Sequence, residues 1–295
     1  MTDTAYEVFV NQSTFMVRGG TPPRFLGAFG TNFYRSYVFP LYTPSGQTVV
    51  REFPFDHPFH NGVFVGQHPV TVDGREGNYW AIPVKRSNDD HINVRIGRMD
   101  PQGTPVAECG DDHARLTLNA IWCDEADEPL LAEQRSVCFH ARPDATICDM
   151  FSDKSALYGD VVFGKTKWGS VGIRVEPRLL PALGGEVIGC TGDELRRGRA
   201  DDVANLMACD AVAYEANVPG AGVYGVCQMI LDNSLSDQRD GPWFIRDYGM
   251  AMFNATQQDT LHLAQGDNWR LGLRVVAYDG PVTADRIAAW RKGAA

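Results

Sequence analysis

Short runs of β-branched and aromatic residues, broken by Gly, Pro, Asn and Asp, follow one another along almost the whole chain. Runs of this kind are typical of strands joined by turns, and helical periodicity is scarce. The pattern predicts strands at residues 6–10, 14–18, 34–41, 47–53, 62–68, 78–84, 92–97, 115–122, 132–141, 145–151, 169–176, 211–214, 222–231, 243–253 and 269–278. Such a series predicts an all-β protein, in which two large antiparallel sheets stack face to face.

One segment near the C-terminus has helical character. Thr283 can cap the run 284–292, in which Ile287 and Trp290 fall on one face. We expect a short C-terminal helix that covers a sheet edge. Because no repeat, low-complexity tract or linker divides the chain, residues 1–295 are predicted to form a single domain.

Charge and composition exclude several classes of function. The 295 residues carry a formal net charge of -10, and the basic residues are scattered, so a nucleic-acid partner is not expected. The first residues lack a basic, then apolar, leader, and no apolar run reaches the length of a membrane span. We therefore expect a cytoplasmic protein without membrane contact. The seven cysteines are odd in number and form no C-x-x-C pair, which argues against a disulfide framework.

A glycine-rich segment has the residue spacing of a dinucleotide-binding loop. Residues 220–225 match the spacing G-x-G-x-x-G, but the residues that follow have the pattern of a strand. A dinucleotide site needs a helix there, because helix N–H groups hold the pyrophosphate. We therefore do not predict a nucleotide site.

The segment 51–68 concentrates chemically useful side chains. It holds three of the seven histidines, His57, His60 and His68, with Asp56 directly before the first. Neutral imidazole binds divalent metals and also shuttles protons near neutral pH, and a carboxylate beside it can fix its tautomer. The spacing H-x-x-H alone is weak, because helical zinc motifs use positions i and i+4 and this segment contains prolines. The segment is still the best candidate site, against the alternative of a purely structural loop.

Three motifs of the chain resemble those of the PmoA-like family of bacterial proteins. The first is residues 35–46, which begin Arg-Ser-Tyr and contain two prolines before the final glycine. The second is Asp-His-Pro-Phe-His-Asn-Gly at residues 56–62, and the third is Trp-Phe-Ile-Arg-Asp-Tyr-Gly at residues 243–249. The chain departs from the family at Phe59 and Asn61, where many members carry His and Arg. The resemblance implies a galactose-mutarotase-like β-supersandwich whose enzymes bind sugars in a cleft across one sheet. It does not imply methane oxidation, since no membrane span is expected.

A sugar site of this kind combines aromatic faces with polar groups that satisfy hydroxyls. For substrate binding we predict Trp243, Arg246, Arg35 and Asn254, and we predict Tyr248 beside them as a proton-transfer residue. Core packing is the alternative for Trp243. The expected partner is a small-molecule sugar or glycoside.

The leading functional hypothesis is a carbohydrate lyase that performs metal-assisted β-elimination, with C–O or C–N cleavage, on an oxidised (3-oxo) glycoside or pseudo-sugar. A ketone acidifies the neighbouring C–H, and a metal or a cationic side chain stabilises the enolate. A divalent metal ion would be held by His57, His60, His68 and Glu133, although Glu133 can equally pair with Arg135. His60, Tyr248 and Lys167 are the candidates for proton transfer, so His60 is left open between two roles.

Two alternatives remain from the sequence. One is a metal-free, aldose-epimerase-like or glycoside-hydrolysing enzyme, in which a histidine donates a proton and a carboxylate accepts one. The other is a non-catalytic carbohydrate-binding protein.

Overall fold

The computed structural model describes residues 6–82, 94–237 and 239–292. In its first half the strands are β1 (Tyr6–Asn11), β2 (Thr14–Gly19), β3 (Arg24–Thr31), β4 (Ser36–Leu41), β5 (Val63–Gln67), β6 (Val70–Val72), β7 (Arg75–Gly77), β8 (Arg98–Pro101), β9 (Val106–Cys109), β10 (Ala114–Cys123), β11 (Pro129–Ala141) and β12 (Ala145–Ser155). The predicted strands 78–84 and 92–97 run into residues 83–93, which lie outside the described residues.

The second half contains further strands and the helices. The strands are β13 (Val161–Phe163), β14 (Gly169–Arg174), β15 (Glu186–Thr191), β16 (Glu194–Gly198), β17 (Ala211–Val218), β18 (Gly222–Asn233), β19 (Trp243–Ile245), β20 (Met250–Phe253), β21 (Leu261–Leu263) and β22 (Asn268–Asp279). The α-helices are α1 (Ala200–Val203) and α2 (Ala284–Lys292), and the 3₁₀ helices are Pro177–Leu179 and Pro181–Leu183. None of the helices in the described part of the chain has the length and hydrophobicity of a membrane span.

Two large antiparallel sheets form the body of the molecule, and the predicted all-β fold class is confirmed. The front sheet has the order β1-β2-β3-β4-β5-β14-β20-β19, and the back sheet has the order β16-β15-β17-β18-β22-β12-β11-β10-β8, with β9 also paired to β10. A small third sheet has the order β21-β13-β6-β7. The largest apolar cluster contains residues of both large sheets, so it lies between them.

Strand periodicity gives the front sheet a second apolar face. On β5, Val63 and Val65 belong to the core cluster, whereas Phe64 between them belongs to another cluster. On β14, Val171 and Ile173 face the core in the same way. Successive side chains of a strand point to opposite faces. The outer face of the front sheet therefore carries its own buried side chains, Phe59, Phe64, Trp80, Ile82, Phe244, Met250 and Met252.

The C-terminal helix forms as predicted but covers a different surface. Thr283 accepts a hydrogen bond at Oγ1 from the Arg286 N–H (3.2 Å), which confirms the N-cap. Ile287 and Trp290 are buried on the outer face of the back sheet, where Trp290 packs against Tyr278 at 5.0 Å between ring centroids. The expectation that the helix covers a sheet edge is therefore wrong, because this outer face is apolar and must itself be buried.

Some of the remaining predictions about elements agree with the structure, and one does not. The G-x-G-x-x-G segment runs into the strand Gly222–Asn233, as expected. The seven cysteines are free, and six of them are buried. The predicted strand 243–253 is a hairpin of β19 and β20, because the Gly249 N–H donates to the Arg246 carbonyl (2.8 Å) and Gly249 adopts φ +89°.

Candidate functional site

The histidine segment forms two successive turns over the outer face of the front sheet. The His57 N–H donates to the Pro54 carbonyl (3.1 Å), and the His60 N–H donates to the His57 carbonyl (3.0 Å). The segment ends at Gly62, whose φ is +53°. A Cβ at this position would lie 1.9 Å from the Val38 carbonyl oxygen on β4, so the motif requires glycine here.

A buried arginine organises the acidic and imidazole groups. Arg174, at the end of β14, donates both Nη2 hydrogen bonds to the Asp56 carboxylate (2.8 and 2.6 Å). Asp56 Oδ2 also lies 2.9 Å from His57 Nδ1. Burial alone would raise the pKa of Asp56, but the hydrogen bonds and charges of Arg174 and His57 lower that pKa to about 2. Asp56 is therefore an anion that fixes the orientation of His57.

The same arginine sets the tautomer of His60. Arg174 Nη1 lies 3.1 Å from His60 Nδ1, and because a guanidinium only donates, Nδ1 must accept. The proton of the neutral ring is then on Nε2. Burial, followed by the charges of Arg174 and His57, lowers the pKa of His60 well below its usual value. Nε2 is a buried donor without a hydrogen-bond partner.

Aromatic rings stack through the site. His57 lies between Tyr248 and His60, with ring centroids 4.9 Å apart on each side and interplanar angles of 8° and 3°. Trp80 contacts His60 edge-on, with ring centroids 5.2 Å apart. Burial raises the pKa of Tyr248, so its phenol stays protonated. The His57 side chain is 33% exposed and Tyr248 is partly exposed, whereas His60 is buried, so a ligand can reach His57 and Tyr248 from solvent.

The four predicted metal ligands do not converge. The rings of His57 and His60 stack in parallel planes with centroids 4.9 Å apart, so their in-plane lone pairs cannot point at one ion. His68 Nε2 faces Glu76 at 3.5 Å. Glu133 lies between the sheets, where it accepts hydrogen bonds from Arg135 and other buried donors. These residues therefore do not fit a metal ion, and no three His, Cys, Asp or Glu side chains of the described residues form such a group.

Glu133 instead belongs to a buried ionic network. Trp122 Nε1 donates to its carboxylate (2.7 Å), Arg135 binds both carboxylate oxygens, and Ser152 donates to Oε1. Burial would raise the pKa of Glu133, but the charges of Arg135 and Lys154 lower it. A catalytic or metal role does not fit this position, since every oxygen of the side chain is already used.

Two of the predicted sugar-binding residues, Trp243 and Asn254, are buried. Trp243 is fully buried in the core, and its Nε1 donates to the Cys209 carbonyl (2.8 Å), so the prediction that it binds sugar is wrong in this arrangement. Its neighbour Phe244 takes the outward position instead. Asn254 is buried as well and uses its amide to hold a turn, donating to the Thr166 carbonyl (2.7 Å).

Three other predicted residues lie on the outer face or at its border. Arg246 lies over the Phe244 ring at 4.3 Å and pairs with exposed Asp201. Lys167 is exposed, with Nζ 4.9 Å from the Trp168 ring centroid. Arg35 is buried beside Phe64, with its Cζ 5.6 Å from the ring centroid. The structure thus brings His57, His60, Tyr248 and Arg35 to one face, with Arg246 and Lys167 at its border.

Sequence reasoning missed Arg174 and Trp80. Arg174 lies 118 residues after Asp56, so no local pattern joins them. One signal was available, because Arg174 ends the run Gly-Ser-Val-Gly-Ile-Arg, and a charged residue in a buried strand needs a partner.

Comparisons with known proteins identify a family and remote structural similarity. A model of a family of unknown function, DUF6807, matches residues 28–291. No curated protein matches the sequence. The solved structures similar to this chain include the GH36 α-galactosidase AgaA from Geobacillus stearothermophilus, with 12% identity and a TM-score of 0.44. The match covers 93% of this chain but only 40% of the α-galactosidase.

Two enzymes of comparable length are similar as well. Galactose 1-epimerase from Lactobacillus acidophilus has 8% identity and a TM-score of 0.41, with 93% of this chain and 98% of that chain covered. A galactose mutarotase related enzyme from the same organism has 11% identity and a TM-score of 0.34, with 94% and 99% covered.

Proposed function

The chain belongs to the DUF6807 family, a family of unknown function, and we propose that it is a carbohydrate-directed enzyme in which His57 transfers a proton. The observation that carries this proposal is the partly exposed His57 ring, bound to Asp56 and stacked between Tyr248 and His60. A carboxylate bound to one ring nitrogen orients the other nitrogen for general acid–base catalysis.

The reaction proposed first is β-elimination from an oxidised (3-oxo) glycoside. His57 takes the proton from the carbon beside the ketone, and the electron pair forms a C=C bond as the bond to the alkoxy or amino group on the next carbon breaks. Tyr248 stacks on His57 and stays protonated, so it supplies the proton for the leaving group.

One property of the site disfavours the epimerase-like or hydrolytic alternative. That mechanism needs a carboxylate that accepts a proton, and the bond with Arg174 lowers the pKa of Asp56 to about 2. So weak a base is poorly matched to proton abstraction near neutral pH. Elimination with His57 as the base does not require Asp56 to accept a proton.

The test is turnover of aryl 3-oxo-glucosides in D₂O, followed by NMR and by release of the phenol. We expect elimination with deuterium exchange beside the ketone, and a fall of about 10²- to 10⁴-fold in His57→Ala. His113→Ala is the matched control, since His113 is 31% exposed and its Nδ1 also lies beside a carboxylate, Asp112, at 2.7 Å. This control should keep wild-type turnover.

Other results would redirect the proposal. Exchange of sugar anomers without C–H exchange would support the epimerase, and sugar binding without turnover would support a binding protein. Activity should survive dialysis against EDTA, because the predicted ligands do not converge. Loss of activity that Mn²⁺ or Zn²⁺ restores would support the metal-assisted reaction instead.

A further inference from the structure

Four arginines of the described residues are almost completely buried, and three of them are paired with a carboxylate. Arg135 pairs with Glu133, Arg174 with Asp56 and Arg274 with Asp149, each at 2.6–2.7 Å. The fourth, Arg35, is 1% exposed and has no carboxylate partner among the described residues. Buried charges are normally paired, so Arg35 is the exception that needs an explanation.

The surroundings of Arg35 leave part of its guanidinium unused. Nη2 donates to the carbonyls of Trp80 (2.9 Å) and Ala81 (3.2 Å). Nε and Nη1 are buried and have no hydrogen-bond partner. Burial, and then repulsion from Arg135, lowers the pKa of Arg35 to about 9, so the group is still a cation near neutral pH. Within the described part of the chain, no carboxylate therefore neutralises this buried charge.

A second unpaired donor lies against the same ring. His60 stacks on Phe64 at 5.9 Å, and Arg35 lies over Phe64 at 5.6 Å. The Arg174 hydrogen bond makes His60 Nε2 a donor, and this atom also has no partner. Arg35 and His60 thus both contact the Phe64 ring, and each has N–H groups without an acceptor among the described residues.

We propose that Arg35, with His60 as a neighbouring donor, binds a carboxylate of the ligand, so that the substrate of this site is an acidic sugar such as a uronic acid. The inference rests on the proposed function, since it names the substrate class of the same site. A carboxylate supplies acceptors in the planar geometry that a guanidinium matches, and it neutralises the charge. A sugar hydroxyl accepts a hydrogen bond but leaves the charge uncompensated.

The first experiment uses the wild-type protein alone. Calorimetry compares methyl glucuronide, methyl galacturonide and methyl mannuronide with their uronamides and with the corresponding methyl hexosides. We expect at least one uronate to bind about tenfold or more tightly than both its amide and its neutral hexoside, the usual effect of a charge-assisted hydrogen bond. The amide keeps the shape and removes only the charge.

Variants then assign the preference to Arg35. Arg35→Gln keeps a donor for the Trp80 carbonyl but lacks the charge, and we expect it to lose the preference for the acid. Arg35→Lys keeps the charge and should retain part of the preference for the acid. Lys154→Met is the matched control, because Lys154 is another fully buried cation whose Nζ has no hydrogen-bond partner, and it should keep the full preference.

The inference is overturned if no uronate exceeds its amide, including the case in which none of these sugars binds, or if Arg35→Gln keeps the preference. Should Arg35→Gln fail to fold, the wild-type comparison and Arg35→Lys still decide. His57-dependent elimination on neutral 3-oxo-glucosides without an acid preference would remove only this inference. An acid preference without turnover would keep the subsite and remove the proposed reaction.

Discussion

At the scale of single residues, the interior between the sheets contains a cation with an unusual environment. Lys154 is completely buried, and its Nζ lies 4.3 Å from the Trp269 ring centroid and 5.9 Å from that of Trp122. Burial lowers the pKa of Lys154 to about 8, against the opposing effect of Glu133. Arg135, Trp122 and Ser152 donate the hydrogen bonds that Glu133 accepts, so the lysine is held by the charge of the network and by the two rings.

This environment predicts a pH-dependent contribution to stability. The folded-state pKa lies below the ordinary 10.5, so between about pH 8 and pH 10.5 the unfolded chain binds more protons and stability rises with pH. The free energy of unfolding of wild type relative to Lys154→Met should therefore increase by up to about 3 kcal/mol across this range. Urea denaturation at a series of pH values measures it, and parallel curves for the two proteins would contradict the prediction.

At the scale of elements, the position of the histidine loop depends on one close approach between the loop and β4. The Gly62 N–H donates to the Arg51 carbonyl (2.9 Å), the Arg174 N–H donates to the Gly62 carbonyl (2.8 Å), and Val38 approaches from the other side. The loop, β4 and β14 thus meet at Gly62. Any displacement there moves Asp56 and His57 relative to Arg174.

Gly62→Ala should accordingly damage both stability and function. We expect a loss of about 3 kcal/mol or more in the free energy of unfolding, from the positive φ and the clash with the Val38 carbonyl, together with loss of turnover. The matched control is Gly74→Ala, which has φ +77° but open space around the new Cβ, and it should lose only about 1–2 kcal/mol. Equal effects of the two substitutions, measured by chemical denaturation, would show that the close approach is unimportant.

At the scale of the whole molecule, the two large sheets use their outer faces differently. The front sheet carries the ring stack and the Asp56–Arg174 pair, whereas the back sheet is covered by α2. The helix is anchored by Arg274, which binds Asp149 and donates to the Trp290 carbonyl. The candidate site and the helix therefore belong to opposite sides of the sandwich.

This separation predicts a substitution that lowers stability without touching chemistry. Trp290→Ala removes a ring that is only 4% exposed and should lower the free energy of unfolding by about 3–5 kcal/mol. Turnover per folded molecule should stay at the wild-type level at temperatures where the variant is folded. Leu183→Ala, at a side chain that is 65% exposed, serves as the control and should change stability by about 0.5 kcal/mol or less. A marked fall in turnover of folded Trp290→Ala would mean that the two faces are coupled.

Local sequence patterns determined the class of structure. Short runs of β-branched and aromatic residues, broken by Gly, Pro, Asn and Asp, predicted antiparallel strands, and Thr283 with the spacing of Ile287 and Trp290 predicted α2. These features depend on neighbours within a few residues, so they can be read directly. The clustering of His57, His60 and His68 with Asp56 is local in the same way, and the prediction of a histidine site near residue 60 rests on that clustering.

Tertiary structure alone decided which groups meet and which face they take. Whether Trp243 or Phe244 faces the core depends on the pairing of β19 with β20, and the contacts of Glu133 with Trp122 and Ser152 depend on the register of β11 against β10 and β12. Arg174 reaches Asp56 across 118 residues because β14 pairs with β5, the strand that follows the histidine segment. Charge pairing is set by distance in space, and a single sequence does not contain that distance.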